Sequence, residues 1–371
     1  MKYRVEIADK SFNRLEILDQ EAMGLHWDFS RIGGCGSFSF DLPREYCNER
    51  FISGDFNVKI YKRNSTTKAY DLWYQGLVET KQPNIRGGNE TIQVRGTGYQ
   101  AQLSRIYIAN KIYTSTEVSL IVKDILDTYV CPYTNITYSG GDLVATGFTP
   151  STVKFNTDAL SAMQTLADIT GTREWGVDAN RKFYFKERSS SVGFIYPIGS
   201  EKILNFSSDD SFKDIINRVV IQGGDVAGVP YTATFNDTSS QLKYNLRTSV
   251  TQNSSITTSD VATQYANSVF TESRDVVRRG SCELLEEIQI ESTTPIPLFL
   301  MLAPSITYGQ KAYGTFLYAG RITYQVNRIN YSVDNNGNMR IGLELGQLRP
   351  TLSEKLAQLN YELEQLRSTS L

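Results

Sequence analysis

The chain has 371 residues, 40% of them hydrophobic and 21% charged, which is material for roughly two to three packed domains and too apolar for global disorder. A formal net charge of −2, with no basic run denser than Arg278-Arg279, argues against a phosphate-gripping nucleic-acid clamp and leaves room for a channel that DNA slides through. The lone histidine, His26, and four cysteines without C-x-x-C spacing (Cys35, Cys47, Cys131, Cys282) point to no zinc site and no disulfide framework.

The first hundred residues read as antiparallel β structure. Tyr3, Val5 and Ile7 alternate with charged neighbours, as do Leu25, Trp27 and Phe29 with His26, Asp28 and Ser30. Phe38, Phe40 and Leu42 follow the same period of two until Pro43 stops the strand. Val58/Ile60, Leu72-Trp73-Tyr74 and Ile92/Val94 continue the series, with turns at Gly33-Gly34, Asn64-Ser65 and Gly87-Gly88-Asn89. Short strands at this spacing predict a small barrel or sandwich.

From about residue 107 the pattern becomes mixed. Thr114 with Glu117 fits a capping box, and Val118, Ile121, Val122, Ile125, Leu126 and Tyr129 then form a helical stripe. A second helix is predicted from Asp158 to Thr170, with Leu160, Met163, Ala167 and Thr170 as its stripe and Gly171 as its left-handed stop. Trp175–Val177 and Phe183–Phe185 read as a hairpin around Asp178-Ala179-Asn180.

The third stretch returns to β. A strand is predicted from Ile216 to Gln222, ending at Gly223-Gly224, then an amphipathic helix near Ser259–Thr271 with Val261, Tyr265, Val269 and Phe270 on one side. Strands follow at 316–319, 322–326 and 329–333, and Asp334 to Asn338 forms a hairpin turn before Ile341, Leu343 and Leu345. The apolar run Ile296–Ala303, flanked by prolines, reads as a short buried or edge segment, or as a loop at a protein interface. After Pro350, Leu352, Leu356, Leu359, Leu363 and Leu366 make an a/d seam about two heptads long.

Chemistry-bearing patterns are weak. Gly96-Thr97-Gly98-Tyr99-Gln100-Ala101, with Glu117 downstream, formally matches a dinucleotide fingerprint, yet the strands before it alternate and no βαβ rhythm follows. His26 lies on the polar side of a strand and no serine has the G-x-S-x-G elbow. Asp209-Asp210 and Glu283 with Glu286-Glu287 are the carboxylates that a wall-cutting glycosidase could use. No catalytic, cofactor or metal residue is assigned. No apolar run approaches the ~18 residues of a membrane span. The charged start Met1–Glu6 is not a signal peptide, so synthesis in a reducing cytoplasm is expected.

Several of these segments, in order, resemble the baseplate or tail-tip hub family of tailed bacteriophages. They are Trp27-Asp28-Phe29 with Gly36 to Pro43; Gly98-Tyr99 with Leu103 and Arg105; Ala159-Leu160, Leu166-Ala167 and Trp175 to Asp178 with Phe183 to Phe185; Ile216 to Gly223; and Leu343 to Gly346. The resemblance implies a mainly β chain with an α+β insertion: a tube-like β-barrel at residues 1–106, a mixed middle domain at 107–205, a second tube-like barrel at 206–349 with a helical insertion at about 250–275, and a C-terminal amphipathic helix at 350–371. It further implies a homotrimer whose six barrels adapt a sixfold tail tube to a threefold tip. The implied partners are a distal tail protein or last tube ring, a tip or fibre protein, and a tape-measure protein in the channel, with DNA passing unbound. A tail-associated lysin or receptor-binding protein is the competing reading. The leucine seam is the candidate oligomerisation element, either as three helices on the threefold axis or as one helix folded back on its own barrel.

Overall fold

The structure is a computed structural model that describes residues 2–19, 21–43, 56–64, 67–86, 89–171, 173–187, 194–195, 203–226, 228–285, 305–308, 322–334 and 336–346. The leucine seam (Leu352, Leu356, Leu359, Leu363, Leu366), the apolar run 296–303, the strand expected at 316–319, and Glu286 and Glu287 lie outside the described residues.

The opening stretch forms β1 (Tyr3–Ala8), β2 (Arg14–Leu18), β3 (Met23–Ser30), β4 (Gly33–Pro43), β5 (Asn57–Arg63), β6 (Tyr70–Arg86) and β7 (Asn89–Gly98). Period-two alternation sets their inner face: Val5, Trp27, Phe29, Phe38, Phe40, Val58 and Ile60 are all buried. A register shift between β5 and β6 at Ile60/Tyr61 accompanies the burial of both Trp73 and Tyr74, which simple alternation would place on opposite faces.

The middle stretch contains a 3-10 turn (Tyr99–Arg105), β8 (Tyr107–Thr114), α1 (Val118–Ile125), β9 (Thr152–Asp158), α2 (Ala159–Thr170), β10 (Arg173–Val177) and β11 (Phe183–Glu187). The start of α1 differs from the expected capping box. Thr114 ends β8, and Glu117 is itself the N-cap, its carboxylate accepting from Ser119 N and Leu120 N. A carboxylate reaches two orphan amides at once, so no Ser or Thr is needed. α1 widens into a π turn over Leu126–Val130. Helix α2 has the expected ends, Asp158 accepting from Ser161 N and Gly171 at φ +68°. Its buried face runs through Ala162, Met163, Leu166 and Ile169; of the expected stripe Met163 and Ala167 are buried, whereas Leu160 and Thr170 are half-buried, so the stripe is rotated towards Leu166 and Ile169.

The remaining elements are β12 (Phe194–Ile195), β13 (Ile203–Ser211), β14 (Arg218–Val226), β15 (Val229–Asn236), α3 (Thr238–Tyr244), β16 (Thr248–Asn253), α4 (Ser259–Ser273), β17 (Val277–Leu285), β18 (Ser305–Tyr308), β19 (Ile322–Val333) and β20 (Met339–Gly346). Strand β14 runs through the glycines expected to end it, with a register shift there. The two strands expected at 322–326 and 329–333 are one strand, β19, whose pairing with β20 shifts between Val326 and Arg328.

One sheet unites the first and last stretches, in the order β13-β17-β20-β19-β3-β4-β7-β6-β5-β1-β2. The joint is β3 against β19, with Trp27 opposite Tyr331 and Phe29 opposite Ile329. Trp27 stacks on Tyr331 with ring centroids 5.0 Å apart, at the centre of a core shared by both sets of strands. A second core joins α1, α2 and β10–β11 to the small sheet β15-β14-β16 and α4, through Leu166, Trp175, Phe183, Val219, Ile221 and Val261. The fold is mainly antiparallel β, with helices α1, α2 and α4 packed in this second core. Among the described residues no helix is long and apolar enough to cross a membrane.

Candidate assembly surface

Burying Trp27, Phe29, Ile329, Tyr331, Ile341 and Leu343 turns the alternate residues of the same strands outward. This opposite face of the long sheet carries His26, Asp28 and Ser39, then Arg328, Asn330 and Ser332, then Arg340 and Glu344, then Ser281 and Glu283. The ladder places opposite charges within reach of one another. Arg328 Nε donates to Asp28 Oδ1 at 3.1 Å and its Nη1 lies 3.9 Å from Glu344. Arg340 Nη1 donates to Glu283 Oε1 at 3.3 Å, and the hydroxyls of Ser207 and Ser281 meet at 2.8 Å. Asp28 is buried and also accepts from Ser37 N at 3.0 Å. A face whose carboxylates already hold its guanidiniums has little net field for a polyanion, since tight binding needs unneutralised cations facing phosphates.

The expected chemical lures dissolve in this geometry. Glu283 spans the ladder to Arg340. Asp209 and Asp210 are successive residues of β13, opposite Arg279 and Arg278, so their side chains leave opposite faces of the sheet. Gly96 lies where strands approach closely: a Cβ there would sit 1.9 Å from Leu77 O and against the Phe38 ring. Glu117, the acidic residue of the formal dinucleotide pattern, caps α1 and binds Thr146 as well. Hydrogen bonding to Ser119 and Thr146 outweighs its burial and holds its carboxyl below the usual range. Among the described residues no cluster of His, Cys, Asp and Glu could hold a metal ion.

The sequence pattern did not reveal the joint between the two cores. Arg31 Nε donates to Glu174, both side chains being buried, and burial pushes the Glu174 carboxyl up to about 8. Beside the pair, Gly34 and Val177 form a short parallel ladder so close that a Cβ at Gly34 would lie 2.2 Å from Val177 O. Tyr99 Oη donates to Asn57 and receives Gln75 Nε2 at 3.3 Å. These contacts fix the β sheet to the helical core without any exposed charge. A glycine pair after β3 and a charged residue, Glu174, directly before the apolar run Trp175–Val177 were the available signals.

No family model matches the chain, and no curated protein matches it by sequence. Solved structures do match its fold. A 43 kDa tail protein of prophage MuSo2 from Shewanella oneidensis superposes with a TM-score of 0.62 at 13% identity, covering 93% of this chain and 98% of that one. A tail protein from Neisseria meningitidis MC58 gives 0.59 at 9% identity, covering 94% and 97%. Prophage tail protein gp18 from Listeria monocytogenes EGD-e gives 0.54 at 13% identity, covering 98% and 100%. The chain has the fold of phage and prophage tail proteins.

Proposed function

We propose that the chain is a structural component of a phage tail, a ring-forming hub at the tail tip. The observation that carries this reading is the length of the match: nearly the whole of this chain and nearly the whole of each of three tail proteins share one fold. The self-neutralised polar sheet face agrees with it, because a wall that DNA or a tape-measure protein slides past works best without tight ionic contacts. In this reading three chains form the ring and adapt the tail tube to the tip. The ring meets a distal tail protein or the last tube ring on one side and a tip or fibre protein on the other. The chain performs no catalytic step and resides in the virion after assembly in the host cytoplasm.

Electron microscopy with mass measurement of the purified chain tests this. A threefold ring with an axial opening is the expected result. A monomer that degrades cell wall overturns the reading in favour of a lysin, and the Glu283→Gln variant then shows whether that carboxylate is involved.

A further inference from the structure

We propose that the turn joining β1 to β2 and the turn joining β10 to β11 form a clasp that locks the sheet core to the helical core and opens before either core unfolds. The two turns exchange residues. Phe12, in the β1–β2 turn, packs against the helical core, while Ala179, in the β10–β11 turn, is buried in the sheet core. Each core therefore holds the tip of a hairpin that belongs to the other. Between the tips the Arg181 guanidinium lies over the Phe12 ring, 4.0 Å from its centroid.

The backbone singles out the same two residues. Phe12 and Arg181 both have φ +65°, the left-handed region that is costly for any residue with a Cβ. Each lies three residues after the aspartate that opens its turn, and Phe12 N and Arg181 N donate to Asp9 O and Asp178 O. The turn opened by Asp334 is built alike, with Gly337 N donating to Asp334 O, and there a Cβ would meet nothing within 4 Å. Glycine thus stands where the turn faces open space, and phenylalanine and arginine stand where two turns meet. Strain that glycine would relieve is held by what the side chain touches, and these two side chains touch each other.

Each turn is fastened at its base. Asn57 Nδ2 donates to Asp9 O at 2.6 Å and Tyr99 Oη donates to Asn57, which ties the β1–β2 turn to a buried tyrosine of the helical core. The Phe12 ring lies 6.4 Å from the ring of that tyrosine. Thr137 N donates to Arg181 O at 2.9 Å and holds the other turn. The β10–β11 turn follows Val177 directly, and the ladder of β10 on β4 is only Gly176 opposite Gly33 and Val177 opposite Gly34. So short a ladder has little cooperativity of its own, and it depends on the clasp next to it. Phe12 and Arg181 are only half-buried, which makes their contact the easier one to release. Parting there lets the sheet turn against the helical core with both cores intact. The clasp lies within one chain, so it stands whether or not the ring reading holds.

Hydrogen exchange of the full chain tests this with Phe12→Asn, Arg181→Asn and the double variant. Asparagine tolerates a left-handed turn better than either native residue, yet it removes the contact between the turns. Peptides over 31–36 and 174–179 should exchange about fivefold faster or more in each single variant, while β19, β20 and α2 keep their parental rates. The double variant should be no faster than the faster single one, and Phe12→Tyr, which keeps the ring, should match the parent. Unchanged or slower exchange at the joint in the asparagine variants overturns the inference, since each residue would then serve only its own turn. A double variant whose acceleration is the product of the two single ones overturns it too, because the side chains would then act separately. So does equal acceleration across β19, β20 and α2, which would mean that the joint opens only when the cores unfold.

Discussion

The two cores are built on opposite principles. The sheet core closes over strands from both ends of the described chain: Trp27 and Tyr331 are about three hundred residues apart and stack at its centre. The helical core draws on neighbours in sequence, such as α1, α2 and the β10–β11 hairpin, and adds the β14–α4 insertion. Closing a long loop costs entropy that only the finished contacts repay, so the sheet core depends on a few large aromatic side chains. The helical core is secured by many short-range devices, including the Glu117 and Asp158 caps and the Gly171 stop.

Removing the aromatic centre is the strongest way to break this contrast. Phe38→Ala or Trp27→Ala should cost about 3–5 kcal/mol, the usual penalty for a buried aromatic. Hydrogen exchange should show β19 and β20 loosening with β3 and β4 while α2 keeps its protection. If α2 loosens equally, the two cores are one cooperative unit. Phe38 packs against Phe40 and Tyr74, so its inward orientation also fixes the strand register.

The joint comes next. At about pH 9, above the raised Glu174 value, Glu174→Gln removes the negative charge that accepts from Arg31 Nε and should cost about 3 kcal/mol. Arg31→Met with Glu174→Met should recover most of it, because both desolvation costs vanish together. Urea denaturation of the three proteins decides the matter; a double variant as unstable as the single one would mean that the pair supplies geometry no apolar pair can replace.

A local device should cost less. Asp158→Ala removes the acceptor for Ser161 N at the start of α2 and should cost about 1 kcal/mol. A loss as large as that of Phe38→Ala would show the helical core to be as fragile as the sheet.

Legibility follows the same division. The alternation at residues 25–29, 38–42 and 341–345 made those strands visible, and the caps made α2 visible. The β3–β19 joint was not visible, because nothing local in Trp27 or Tyr331 names its partner across the chain. Strands β15 and β16 were hidden by outward Thr, Asn and Gln residues that leave little hydrophobic contrast, and α3 by its short length. The charge pairs of the polar face depend on register: Arg340 meets Glu283 only because β20 lies beside β17. Whether the chain forms a ring depends on surfaces between copies, which no alternation within one copy encodes.

A finer comparison lies in three hairpin turns that share one construction. Asp9, Asp178 and Asp334 each accept from the backbone N–H groups two and four residues ahead. The fourth residue of each turn is left-handed: Phe12, Arg181 and Gly337. The first escaped the sequence reading because a phenylalanine stands where turn chemistry favours glycine or asparagine. Their acid responses should differ. Hydrogen bonds from Asn13 hold the Asp9 carboxyl below its usual range, and those from Asn338 and Asn336 do the same for Asp334. Both turns are therefore fully stabilised above the ordinary carboxylate range, about pH 4, and loosen as pH falls through the lowered folded values. Asp178 is half-buried, and the loss of solvation raises its carboxyl despite the same hydrogen bonds. Its folded value lies above its unfolded one, so its contribution is complete at low pH and declines as pH rises through the folded value. Amide exchange at Ser11, Asn13, Asn336 and Asn338 should therefore accelerate below about pH 4, relative to the intrinsic rate, while that at Asn180 and Lys182 should not. Parallel acceleration at all three turns would mean that the hydrogen bonds outweigh burial at Asp178 too, and that the helical core leaves its hairpin turn open to water.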